Sequence, residues 1–215
     1  MMFKELAARI RALDDLAVDL SDPARPRPLP GRRCPVVGID GLSGSGKSSF
    51  ASRLAGELDA PVLSVDDLVP GWDALARAPG LLADGVLRPL AAGRPGRYRR
   101  YDWLAGRLSD WVDLAPGDLL IAEGCCAGVP PAGGLLSYLI WLDAPATERR
   151  RRLELRPDWP AYSPFAEHWA RQETALQATA NTAGRADLVV DNGENHSDED
   201  WPDQFTVRAH HPCGP

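Results

Sequence analysis

Residues 34–50 read CPVVGIDGLSGSGKSSF, and this stretch decides the fold. Val36, Val37 and Ile39 make a short β-branched run of the kind that lies covered on both faces of a parallel sheet. Gly41-Leu-Ser-Gly-Ser-Gly46-Lys47-Ser48 then matches G-x-x-x-x-G-K-[ST] without a gap. Phe50, Leu54 and Leu58 follow at four-residue spacing, the apolar stripe of a helix. Strand, glycine-rich loop and helix thus stand in the order that a phosphate cradle needs. Glycines let the loop take φ > 0 and bring N–H groups close to phosphate oxygens, and the helix N-terminus points its dipole at the same anion. The residues expected to hold a nucleoside triphosphate are therefore Gly41, Ser43, Gly44, Ser45, Gly46, Lys47, Ser48 and Ser49. Lys47 supplies a point charge for the β- and γ-phosphates, and the Ser48 hydroxyl a ligand for Mg2+.

The same alternation continues outward. PVLSVD (61–66), DLLIAE (118–123), SYLIWLD (137–143) and ADLVVD (186–191) are further short apolar runs. Helical segments are expected near 102–113, 145–156 and 164–181. Strands alternating with helices predict an α/β three-layer sandwich around a mostly parallel five-stranded sheet. QFTVRAH (204–210) reads as a late edge strand. Asp40, Asp66, Glu123 and Asp143 end four of the strands, along the sheet edge where ligands bind. Aspartates there also serve as turn formers and caps. Glu123 is the expected partner of Ser48 in holding Mg2+. Cys125 and Cys126 read as small buried hydrophobes, and the His210-His211-Pro-Cys213 cluster does not read as a metal site.

Residues 1–33 comprise an amphipathic helix over 3–20 and a Pro-rich linker, SDPARPRPLPGRR (21–33). The compact domain spans 34–191, and 192–215 is an acidic, mobile tail. A length of 215 residues suits one domain with appendages. Thirty acidic against 24 basic residues give a net charge of −6, which argues against a nucleic-acid polymer or an anionic membrane as partner. No segment offers the roughly 20 continuous apolar residues of a membrane span. Four cysteines without paired spacing suggest reduced thiols and a cytoplasmic setting. Only Lys4 and Lys47 among the basic residues are lysines, the remainder being 22 arginines. Where arginine is the default cation, Lys47 has a specific reason to be lysine.

With GIDGLSGSGKSS (38–49), SVDDL (64–68), YDW (101–103), IAEG (121–124), RRRRLELRPDWPAY (149–162) and HWARQE (168–173), the chain resembles the uridine kinase and nicotinamide riboside kinase group of P-loop kinases. The resemblance covers about 34–191 and implies phosphoryl transfer from ATP, with Mg2+, to a hydroxyl of a small molecule, often a ribose. It assigns the general base to Asp66, whose position at the strand edge shared with Lys47 suits that role; Asp67 is the rival, or a substrate contact. Asp102 matches an aspartate that bonds substrate hydroxyls, its alternative being a cap for the following segment. Trp72 and Tyr101, with Tyr98 and Trp103, offer a stacking wall for a planar base or a share of the core. The arginine run corresponds to a lid over about 149–165, with Arg152 and Arg156 as the catalytic pair on one helix face. Leu68 stands where the family usually has an aromatic residue. Two other functions remain open: a kinase for a non-nucleoside alcohol, and a nucleotide-binding regulatory protein without kinase activity.

Overall fold

The computed structural model describes residues 1–12, 34–193 and 202–210. The Pro-rich linker, His211, Cys213 and much of the acidic tail lie outside the described residues. Strand β1 (Val36–Asp40) is buried along its whole length and runs into the glycine-rich loop and helix α2 (Lys47–Leu58). β2 (Val62–Ser64), β5 (Leu120–Glu123), β6 (Tyr138–Asp143) and β7 (Leu188–Asp191) join β1 in a parallel sheet. β8 (Thr206–His210) adds an antiparallel edge, so the order is β2-β5-β1-β6-β7-β8. The sheet therefore has six strands, five of them parallel, where five strands were expected.

Apolar clusters fill both faces of this sheet. On one face lie α2 and α1 (Phe3–Arg11), with Val37, Ile39, Ile121 and Ile140 of the strands. α1 turns Phe3, Leu6, Ala7 and Ile10 inward, the stripe that its sequence spacing predicts. Phe3, Phe50 and Phe205 meet in an aromatic triad with centroids 4.9–5.3 Å apart. The other face is covered by α3 (Ala78–Leu82), a π-helical turn at Ala83–Leu87, α4 (Arg88–Ala91) and α7 (Ala166–Ala180). α5 (Ala146–Leu155), α6 (Trp159–Tyr162) and α8 (Thr182–Arg185) complete the chain.

One expectation fails outright. Residues 102–113 are not helical: β3 (Gly96–Asp102) and β4 (Arg107–Leu114) form an antiparallel hairpin outside the main sheet. Trp103, Leu108, Trp111 and Val112 mimic helical spacing, but Asp102 and Gly106 decide otherwise. The Asp102 carboxylate accepts the N–H groups of Leu104 and Ala105 at 3.0 and 2.9 Å, and Gly106 takes φ 64°, which together reverse the chain.

The aromatic triad generates a stability test. Phe3 is 1% exposed, so Phe3→Ala leaves a cavity between α1, α2 and the β8 segment. Urea unfolding should show a loss of about 3–5 kcal/mol. A loss below about 1 kcal/mol would mean that α1 is a loosely attached appendage.

Candidate active site

The phosphate loop joins β1 to α2, with Gly44 at φ 79° and Gly46 at φ 91°. A Cβ at Gly44 would stand 2.4 Å from the Arg149 carbonyl oxygen, so both dihedral and space demand glycine. Four side chains from elsewhere hold this backbone. Glu173 of α7, 2% exposed, accepts the Ser43 N–H at 2.9 Å and the Ser43 hydroxyl at 2.7 Å through one oxygen. Asn192 donates to the Ser45 carbonyl at 2.8 Å, and Arg149 to the Ser43 carbonyl at 3.1 Å. Asp40, fully buried, accepts Gly41 N–H at 2.7 Å and the N–H groups of Cys126 and Gly128 at 3.0 Å. This strand-end acid ties the loop after β5 to the loop after β1. Burial raises its pKa, against the pull of those N–H donors and of Lys47.

Lys47 is buried and donates to the Leu42 carbonyl at 3.2 Å. Burial works against its charge, but the carboxylates Glu173, Glu123 and Asp66 around it more than compensate, and its pKa lies above the ordinary lysine value. It is a permanent cation at the floor of the site. The Cys125 thiol donates to Glu173 at 2.7 Å, and burial beside that carboxylate pushes its pKa well up, so it stays a neutral thiol. Across the loop the Ser48 hydroxyl donates to Glu123 at 3.2 Å. Among the described residues no three His, Cys, Asp or Glu side chains cluster as a metal site. One hydroxyl and one carboxylate nevertheless fit Mg2+, which in such sites takes most remaining ligands from water and phosphate oxygens. The glycine cradle and buried lysine fit the triphosphate.

Asp66 lies in a 3-10 turn, Val65–Leu68, directly after β2. Part of it opens to solvent, yet enough protein surrounds its carboxylate that lost hydration raises its pKa to about 6. Glu123 and Glu173 add to the rise, and Lys47 and Arg156 oppose it. Asp67 turns to the hairpin and pairs with Arg100 at 3.1 Å, while the Trp103 indole donates to the Asp66 carbonyl at 3.2 Å. The hairpin thus grips the turn that bears Asp66. Asp102 is committed to the hairpin reversal described above. Trp72 stacks on Phe165 at 4.5 Å and 6°, and contacts Trp103, Tyr162 and Trp169 at 4.6–5.8 Å. Tyr101 meets Trp103 edge to face at 4.9 Å. These rings join the hairpin to the segment entering α7.

The two arginines expected as a pair separate. Arg152 is 4% exposed, donates to Glu148 at 2.8 Å and to the Asn192 carbonyl at 2.9 Å, and so braces the residue that holds Ser45. Glu148 is held down to about pKa 2, chiefly by its bonds from Arg151 and also from Arg152. Arg156 follows the end of α5 in extended conformation, pairs with Asp158 and lies close enough to Asp66 for each charge to stabilise the other. A helix face cannot be shared across the point where the helix stops. Glu173, Asn192 and Arg149 are the loop-holding residues that sequence reading did not select. Each comes from a distant element: Glu173 lay in the HWARQE stretch and Arg149 in the arginine run read as a lid, whereas Asn192 carried no signal.

A parallel sheet with a Gly-x-x-x-x-Gly-Lys-Ser loop, a buried lysine and a hydroxyl–carboxylate pair at one edge defines a P-loop nucleotide-binding protein. No family model matches the chain. It is 30% identical over 156 residues to the cytidylate kinase of Halobacterium salinarum, covering 66% of this chain and 69% of that one. Its fold is also that of a possible uridine kinase from Bacillus stearothermophilus, at TM-score 0.52 and 22% identity over 86% of this chain and 98% of the other. The chain belongs to the P-loop kinase family of that cytidylate kinase.

Two measurements check this geometry. A carboxylate whose pKa rises from about 3.8 unfolded to about 6 folded favours the folded state when protonated and opposes it when ionised. Asp66→Asn should therefore raise the melting temperature at pH 8 by about 2–4 °C. That gain should shrink as pH falls through 6 and vanish near pH 4; a pH-independent difference would contradict the raised pKa. In urea, Arg152→Ala should cost about 2 kcal/mol by stripping partners from buried groups. Arg156→Ala, on the surface, should cost less than about 0.5 kcal/mol.

Proposed function

We propose that the protein transfers the γ-phosphoryl group of ATP to a hydroxyl of a small molecule, a nucleoside or riboside, in the cytoplasm. The observation that carries this reading is the mutual electrostatic influence of Lys47, Glu123 and Asp66, three groups from three elements gathered at one sheet edge. Lys47 binds the phosphates of ATP. Ser48 and Glu123 would hold Mg2+, which when bound to ATP neutralises charge on the phosphate oxygens. Asp66 accepts the proton of the attacking hydroxyl. A pKa of about 6 leaves it ionised at neutral pH while keeping it more basic than an ordinary aspartate. Arg156, the arginine of the run whose charge acts on Asp66, balances charge as transfer proceeds, and Arg152 supports the loop instead.

The aromatic residues favour a planar acceptor body. Tyr101, Trp103 and Trp72 lie beside the turn bearing Asp66, and a heterocyclic base is the group such rings hold well. Asp67 and Asp102 are the nearby carboxylates available to sugar hydroxyls, Asp67 once released from Arg100 and Asp102 through its second oxygen.

The test is coupled ATP turnover across nucleosides, ribosides, cytidine monophosphate and small alcohols, beside nucleotide affinity by calorimetry. With the responding acceptor, Asp66→Asn should lower turnover by about 10²-fold or more at nearly unchanged ATP affinity. For the wild type, kcat/KM should fall below about pH 6 as Asp66 gains its proton. Asp67→Asn should do less. If no acceptor raises turnover above the basal rate, the protein is a nucleotide binder and not a kinase. If both variants retain full turnover, the base lies elsewhere.

A further inference from the structure

Behind the turn that carries Asp66 is a half-open cavity of about 370 Å³, lined by α3, the π-helical turn and the β3–β4 hairpin. Its volume lies within the range of small-molecule pockets. Leu68, Pro70, Leu81 and Leu108 give it an apolar floor and wall, and Tyr98 and Trp111 add aromatic surface. It is not the nucleotide site, since no phosphate-loop residue lines it, and neither does Asp66. Leu68 follows Asp66 by two positions in a 3-10 turn, so the two side chains leave that turn roughly 120° apart.

The charges around the cavity do not cancel. Asp84 is neutralised by Arg88 at 2.9 Å, and Arg97 by Asp113 at 3.2 Å. Arg99 donates to the carbonyls of Ser109 and Leu108 at 2.9 and 3.1 Å, which fixes its guanidinium without a counter-ion. Among the described residues Arg77 has no carboxylate at ion-pair distance either. Among the described residues, then, two of the cations lining this apolar pocket have no counter-ion. One wall is the π-helical turn, a rare geometry that concentrates at functional sites; its Asp84 and Gly85 line the cavity. Gly85 is needed there, because a Cβ would meet the Arg97 carbonyl oxygen at 2.9 Å.

We propose that this cavity binds a small amphipathic anion, with its aromatic or alkyl body against Leu81, Leu108 and Trp111 and its carboxylate, sulfonate or phosphate between Arg77 and Arg99. The site shares no lining residue with the phosphate loop, and Asp66, Tyr101, Trp103 and Trp72 do not line it.

The probe is 1-anilinonaphthalene-8-sulfonate, titrated by fluorescence against the full chain, beside the uncharged N-phenyl-1-naphthylamine. Wild type should bind one sulfonate probe saturably, and saturating Mg-ATP should not displace it. Arg77→Ala combined with Arg99→Ala should weaken the sulfonate about tenfold while leaving the uncharged probe unchanged. Gly80→Phe should abolish binding of both, since a side chain at Gly80 in the cavity wall meets no atom within 4 Å and can be enlarged without a backbone clash. Cooperative thermal unfolding verifies each variant, and the arginine pair alone carries the test should Gly80→Phe not fold. Displacement by Mg-ATP, or equal sulfonate affinity in wild type and the double arginine variant, overturns the proposal.

Discussion

A buried ammonium among carboxylates is the constraint on which the site depends. Lys47 has lost its water, and it remains charged because Glu173, Glu123 and Asp66 surround it. Each of these acids comes from a different element: α7, β5 and the turn after β2. Their common need for the cation draws those elements to one edge of the sheet. Asp66 answers with a raised pKa, chiefly because protein replaces part of its hydration and secondarily because Glu123 and Glu173 repel its charge. Asp66 is also exposed, where a proton acceptor would be of use.

The loop around Lys47 is rigid for reasons outside the glycine motif. Glu173, Asn192, Arg149 and Asp40 all bond its backbone or side chains. Asn192 is itself held by Arg152. The arginine run therefore serves two ends, with Arg149 and Arg152 on α5 fixing the phosphate loop and Arg156, past the helix end, acting on Asp66. A charge run that looks uniform in sequence is divided by its geometry.

The strands were legible because burial on both faces makes their apolar runs continuous, as in Val36–Asp40 and Tyr138–Asp143. The phosphate loop was legible because its glycines, lysine and serine are adjacent in the chain. What escaped reading was nonlocal or weakly patterned. The hairpin is half solvent-exposed, so its period of two is blurred, and its reversal depends on one aspartate side chain and one glycine. Glu173 lies 130 residues from Ser43, and no spacing rule reports such a contact. Arg152 and Arg156 looked equivalent until the helix was seen to end between them.

The antiparallel strand β8 has a consequence for how the molecule behaves at high concentration. An open parallel sheet presents unpaired N–H and C=O groups at both margins, a template onto which another chain can add. At one margin β8 occupies those groups on β7, and Arg208 anchors it to Asp143 and Asp191 with charge. At the other, β2 is only three residues long, too short to seed much pairing. Removal of residues 202–210 would bare the β7 edge, Leu188–Asp191, and take away the charged anchor at Arg208, and such a chain should be more prone to self-association through its strands even where its phosphate loop stays intact.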